Sequence, residues 1–419
     1  MTKNYCLNPV ILCGLLALAP AAQAATFSIT TFDCPMAGGT VANSINDAGQ
    51  VTGYCNTPAG VQSFVKNGAT VTTFAASTPS TFNNGMSINA SGQVAGYTIS
   101  NGNDTGFVYT NGAVTLFSVQ TINNSPTNYI VPRSINAGGK VTGEYQDVID
   151  PTHGVFRGFI YDSTTNTSTT FNAPNAVSTI PVGINDSGQV IGLSDMTHGF
   201  LYSAGAFTTF DAPNASQTWP WSINNSGQVA GYYWDINNVE HGFVYSNGAL
   251  TPFDVAGATA TEALDINDSG QVTGDYTDAS GVIHGYVKTG ATVTTIDVPG
   301  ATITWPNSIN TSGQVAGFYA DAFGTYHGFV TTAITGTVTP PPTTACAKPK
   351  GAKSAAGKGT VTEVGTNYVI VVNLRIDYAN CTKMNYGGNA KAPVVNDRIE
   401  WEGYDEPNGN VMGKTLSFN

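Results

Sequence analysis

Ile223-Asn224-Asn225-Ser226-Gly227-Gln228-Val229-Ala230-Gly231-Tyr232, closed by His241-Gly242-Phe243-Val244-Tyr245, decides the fold because it returns along the chain. The Ile-Asn-x-x-Gly element starts at Ile45, Ile88, Ile135, Ile184, Ile223, Ile266 and Ile309, seven copies spaced 43, 47, 49, 39, 43 and 43 residues apart. Each copy continues as Gly-Gln-Val-x-Gly, with Lys140 in place of Gln in the third. A third block, seen as Ala206-Phe207-Thr208-Thr209-Phe210-Asp211-Ala212-Pro213, completes the unit. The blocks are rich in Val, Thr, Phe and Tyr and are bounded by Asn, Gly, Ser or Pro, the pattern of short strands and tight turns. No helical period runs through them.

A unit of about 44 residues with four short strands cannot bury both faces alone, and periods of about 40–50 with four strands per unit indicate propeller blades. The expected fold is all-β, a seven-bladed β-propeller. Its ends explain how the ring closes. Thr26–Asp33 reads as a third-block strand with nothing before it, whereas the last copy has His327-Gly328-Phe329-Val330 and no strand of that kind after it. The N-terminal strand is therefore expected to complete the seventh blade, leaving no open sheet edge. The repeated Asn should bond its own turn, and the Gly after it should take positive φ.

The chain has 419 residues, 48 of them Gly, and only 10% are charged. An ordinary soluble domain carries about 25%. With 41% apolar residues, disorder is excluded, and the absence of a three-residue Gly period excludes collagen. The formal charge of -12 is uneven. From Lys348 onward nine bases face seven acids, while the repeat region has five bases against 20 acids. Such a surface offers no basic stripe for nucleic acid. Residues 1–24 read as a signal peptide, with Lys3, an apolar run from Pro9 to Leu18 and the small-x-small end Ala22-Gln23-Ala24. No later apolar run is long enough to span a bilayer. The mature chain is thus expected to be secreted or periplasmic, a monomer, with Cys34, Cys55, Cys346 and Cys381 available for disulfides. Four cysteines allow three pairings. Cys346–Cys381 would staple a small C-terminal unit, and Cys34–Cys55 would tie the closing strand to the first blade.

Candidate functional residues are those that break the repeat. Trp219, Trp221 and Trp305 precede the Ile-Asn turn, and Trp234 follows Tyr232-Tyr233 in what reads as a loop, where other copies hold Val, Asn or Met. Exposed together, Trp219, Trp221, Trp234, Trp305 and Tyr233 would make a stacking platform for a sugar or other partner. The plainer role is to fill a wider gap between blades. His198, His241, His284 and His327 share one repeat position, which places them around a ring, too far apart to converge on zinc. Asp265–Gly270 has the oxygen spacing of half a calcium loop but lacks the closing carboxylate. No metal, no cofactor and no catalytic residue are assigned. Glu262 with Asp265, or Glu144, are the carboxylates that a glycoside-cleaving site would use, though solvated turn residues would look the same.

The repeated Ile-Asn-x-Ser-Gly-Gln-Val-x-Gly-Tyr, the His-Gly-Phe-Val-Tyr, and Thr294–Ala301 (Thr-Thr-Ile-Asp-Val-Pro-Gly-Ala) resemble the HAF-repeat extracellular proteins of bacteria. The resemblance covers about residues 26–330. It implies a secreted or surface β-repeat protein and brings no activity to carry onto residues. No C-terminal hydrophobic anchor is evident, which points to release or periplasmic residence.

The domain reading is a signal peptide at 1–24, a propeller at 25–335, a Pro/Lys-rich linker at 336–359, and a small five-stranded OB-like β-barrel at 360–419. The function expected is non-enzymatic: an exported binding or scaffold propeller whose partner is a carbohydrate or cell-surface polymer. The alternative is a polysaccharide hydrolase or lyase with carboxylates at the channel mouth.

Overall fold

The computed structural model describes residues 27–77, 80–120, 129–147 and 155–333, followed by the backbone of six strands between 354 and 418. The signal-peptide segment, His153, Cys346 and Cys381 lie outside the described residues. Two compact units are present, Met1–Gly336 and Thr337–Asn419. No described residue is helical, and no helix is long and apolar enough to cross a membrane.

The first unit is a seven-bladed β-propeller of four-stranded antiparallel sheets. In blade one the strands are Thr40–Ile45, Val51–Thr57, Gly60–Asn67 and Thr70–Phe74, paired in that order. The innermost strands of the next six blades are Phe82–Ile88, Ile130–Ile135, Thr179–Ile184, Ala215–Ile223, Ala260–Ile266 and Ile303–Ile309. The seventh blade takes its outer strand from the start of the chain: Ile29–Phe32 pairs with Tyr326–Thr331, Ile29 opposite Thr331 and Phe32 opposite Gly328. The ring therefore closes as the unequal ends of the repeat array require.

Two sets of repeat residues hold neighbouring blades together. The side-chain oxygen of each turn Asn accepts backbone N–H groups of its own turn, as when Asn224 Oδ1 accepts from Ser226 and Gln228 at 3.1 and 2.9 Å. Its amide nitrogen does more than the turn needs. Asn46 donates to the carbonyl of Asn89, Asn89 to Asn136, Asn136 to Asn185, Asn185 to Asn224, Asn224 to Asn267, Asn267 to Asn310, and Asn310 back to Asn46, all at 2.9–3.1 Å. This closed ring of buried, charge-free hydrogen bonds links all seven blades. The turn backbone depends on a left-handed glycine, as at Gly227 with φ +76°.

Farther out, the aromatic of one blade's outer strand stacks on the third strand of the next. Phe74 lies on Tyr109 at 4.1 Å, Phe117 on Tyr161 at 3.9 Å, Phe171 on Tyr202 at 4.6 Å and Phe210 on Tyr245 at 4.2 Å. Where the next blade has Lys, the ammonium covers the ring instead, Lys288 over Phe253 and Lys66 over Phe32. Between these seams, the Val after each Gln and the Phe or Tyr after each His-Gly position are wholly buried, as with Val229, Phe243 and Tyr286. Cys34 and Cys55 form a disulfide that ties the chain two residues beyond the closing strand to blade one.

In the second unit, six strands pair in one sheet, against five expected. Five of them, Ser354–Val364, Tyr368–Val371, Leu374–Asp377, Val411–Phe418 and Arg398–Asp405, pair in a closed cycle in that order, with Lys383–Asn385 added beside Val411–Phe418. The first of these begins at Ser354, inside the stretch read from sequence as linker.

Candidate functional site

Every innermost strand carries a register shift against its neighbour at one equivalent place, for example between Pro220 and Ser222. A bulge turns one extra side chain out of the ladder. The seven residues so released are Asn43, Met86, Arg133, Val182, Trp221, Leu264 and Asn307, and all seven line a central cavity of about 230 Å³. Trp221 is thus a channel residue. Next to each bulge the second strand has Gly, because a Cβ there would collide with the facing backbone; at Gly274 it would meet the carbonyl of Glu262.

Four residues before each repeated Ile, on the side of the bulge away from the Ile-Asn turns, sits a position directly opposite the residue that follows this Gly. In blades one to four these cross-strand pairs are Val41 with Tyr54, Asn84 with Tyr97, Val131 with Glu144, and Ile180 with Leu193. In blades five to seven they are Trp219 with Tyr232, Glu262 with Asp275, and Trp305 with Phe318. An acid pair is flanked on each side by an aromatic pair. Directly opposed like charges destabilise a sheet, so this arrangement runs against folding.

The surroundings of the acid pair add strain of the same kind. Burial, with Asp275 and Glu240 nearby and a hydrogen bond that the protonated Glu262 donates to Glu240, holds the Glu262 carboxyl at a pKa of about 8. Burial and Glu240 push Asp275 up to about 7, against the opposing pull of a hydrogen bond from the Trp305 indole. Asp275 is 4% exposed, and its Oδ1 has no hydrogen-bond partner. Burial followed by the charges of Glu262, Glu240 and Asp275 also raises the Tyr232 hydroxyl above its usual range. Among the described residues none of the three acids has a Lys, Arg or His ion-pair partner.

The tryptophans gather around this pair unequally. Tyr232 is the hub in blade five, with ring centres 5.1 Å from Trp234, 6.2 Å from Trp219 and 6.1 Å from Trp221, while Trp219 meets Trp234 edge to face at 5.2 Å. Trp305 stands apart, stacked on Phe318 at 5.6 Å. All four tryptophans are half-buried. Trp234 belongs to strand Val229–Asp235 and not to a loop. Side chains alternate along a strand. Tyr233 accordingly points away from this cluster, buried and stacked on His241 at 5.1 Å.

The other sequence candidates have structural partners. His198, His241, His284 and His327 each meet an Asp through Nδ1 at 2.9–3.0 Å, namely Asp211, Asp254, Asp297 and Asp33. Asp265 accepts from Ser222 Oγ at 2.5 Å and from the backbone of Ile266 and Ile309, so it bridges three blades. Asp268 accepts from Asn225. Glu144 is held by both Nε and Nη2 of Arg133, at 2.8 and 2.7 Å. Among the described residues, no group of three or more His, Cys, Asp or Glu is placed to hold a metal ion. Of the carboxylates singled out in the sequence, Glu262 alone joins the strained cluster. Its partner Asp275 was visible as the one acid besides Glu144 at the position after Gly, where Tyr54, Tyr97, Leu193, Tyr232 and Phe318 stand in other copies.

No family model matches the chain, and no curated protein does. Among solved structures it is similar to PorZ, a surface component of the type-IX secretion system of Porphyromonas gingivalis, at 11% identity and a TM-score of 0.44 over 93% of this chain and 60% of that one. It is also similar to an Aleuria aurantia lectin mutant in complex with α-methyl-L-fucoside, at 8% identity and 0.36 over 72% of this chain and 93% of that one. A third is TolB from Acinetobacter baumannii, at 11% identity and 0.39 over 68% of this chain and 63% of that one.

Proposed function

We propose that this chain is an exported, HAF-like propeller that binds carbohydrate on blades five to seven. The carrying observation is the Glu262–Asp275 pair set between Trp219–Tyr232 and Trp305–Phe318. The half-buried rings of Trp219, Trp305 and Phe318, with Tyr232 buried behind Trp219, offer flat apolar faces to sugar C–H surfaces, and carboxyl groups between them take hydroxyl hydrogen bonds. Acids crowded together at a cost in stability are what a site keeps and a scaffold discards. A disulfide in a chain of this composition supports export. The cyclic five-strand pairing of the second unit supports an OB-like plan for it. A glycan-array screen of the mature chain tests the reading. Binding to one glycan class should weaken about tenfold or more in Trp305→Ala, on the scale of a lost stacking partner. A blank array, or a signal unchanged in both Trp219→Ala and Trp305→Ala, would contradict it.

One observation favours a second reading, glycoside cleavage. A Glu262 carboxyl that stays protonated near neutrality could donate a proton to a leaving oxygen while Asp275, with the lower pKa of about 7, gives up its proton first. Release of new reducing ends from the bound glycan, abolished by Glu262→Gln, would establish it; binding without turnover would leave the binding role alone.

A further inference from the structure

We infer that the blade five to seven site selects a sugar that carries a positively charged amine, an amino sugar with its nitrogen unacylated. This rests on the carbohydrate reading above and names the ligand's charge.

Three observations carry it. The first is composition: Glu240, Glu262 and Asp275 are neighbours at the seam of blades five and six, and among the described residues none of them has a cationic partner. Elsewhere in this propeller Glu144 is matched by Arg133 and Asp147 by Arg157, while Asp265 is met by Ser222 and two backbone N–H groups. Here acid faces acid instead. Second, Asp275 is 4% exposed with Oδ1 unbonded, beneath its half-buried partner Glu262. An unpaired buried acceptor is costly, and a charged N–H donor seated at Glu262 and Glu240 would bring positive field to it. Third, the walls are aromatic. Trp219, Tyr232 and Trp234 stand on the blade five side and Trp305 on the blade seven side. Ring faces attract ammonium groups, and rings around acids are how proteins hold organic cations. A neutral sugar would use the rings and leave the charges of the acids unanswered. An anionic sugar would be repelled.

The test measures binding of two short oligosaccharides to the mature chain by calorimetry in neutral to mildly alkaline buffer, where an arriving ammonium can take the place of the protons that the crowded acids hold. One is an oligomer of glucosamine; the other is the same oligomer fully N-acetylated. The free-amine oligomer should bind about tenfold tighter, the scale of a desolvated cation–aromatic contact with a charged hydrogen bond. The preference should shrink toward unity in Glu262→Gln and in Asp275→Asn, both of which remove a carboxyl that can ionise against the ammonium without changing shape. It should persist in Asp186→Asn, which lies at the opposite mouth beside the Asn ring. Equal binding of the two oligomers overturns the inference and leaves the carbohydrate reading standing. A preference that survives both site variants also overturns it, since it would then come from the chain's overall negative charge. If neither oligomer binds and the array is also blank, both readings fail together.

Discussion

Asn224 shows how far a single residue's role can be read from sequence. That it caps its own turn follows from the Asn-x-x-Gly spacing, and Oδ1 does so. That its amide nitrogen also reaches the Asn267 carbonyl does not follow, because the partner is 43 residues away and belongs to another blade. Truncation therefore leaves buried groups unpaired on both sides of a seam. Asn224→Ala should cost about 1–3 kcal/mol in denaturant unfolding, whereas Asn225→Ala, at an exposed position, should cost much less; equal costs would remove the ring from the explanation. Glu262 acts in the opposite sense. Its pKa rises from 4.5 in the unfolded chain to about 8 in the fold, so folding favours the protonated form. The charge penalty is absent below about pH 4.5, grows as pH rises, and is complete above about pH 8. Glu262→Gln should accordingly raise the melting temperature in mildly alkaline buffer and have little effect near pH 4. A variant that melts lower than the parent at alkaline pH would contradict the geometry of the acid pair.

Among the elements, the closing strand Ile29–Phe32 is the most consequential for its size. It was legible because a repeat array with an orphan strand at one end and a missing strand at the other has one economical solution. Its fastenings were only partly legible. The Cys34–Cys55 link was one of the pairings that cysteine count allowed. The His327–Asp33 contact at 3.0 Å was hidden, since it joins residues 294 apart and repeats, within one blade, as His284–Asp297 elsewhere. Burial alone would lower the His327 pKa, but Asp33 and Asp321 outweigh it and raise it. Opening the disulfide frees a loop of 21 residues in the unfolded chain. The Cys34→Ser, Cys55→Ser double variant should lose about 3 kcal/mol of stability. It should melt as one unit, because the strand's pairing to Tyr326–Thr331 remains. A second, earlier transition would mean that the disulfide and not the sheet holds the ring shut.

At the scale of the molecule, the seven-fold repeat explains both what was readable and what was not. Positions common to all copies build the ring: turn Asn and Gly, buried Val, the aromatic seam. Function has to lie where the copies differ, and blades five to seven differ most at one cross-strand position. The tryptophans announced themselves there as rare residues. Asp275 did not, since an isolated Asp after Gly looks like any polar strand residue until pairing sets it opposite Glu262. Tyr232 and Tyr233 could not be told apart until strand direction fixed which of them faces the acids. Hydrogen–deuterium exchange of the mature chain with and without a glycan from the array addresses the location most directly. Protection should appear in Ala215–Ile223, Val229–Asp235, Ala260–Ile266, Val272–Thr277 and Ile303–Ile309, with blades one to three unchanged. Protection confined to the Ile-Asn turns, or spread evenly over all seven blades, would contradict the account.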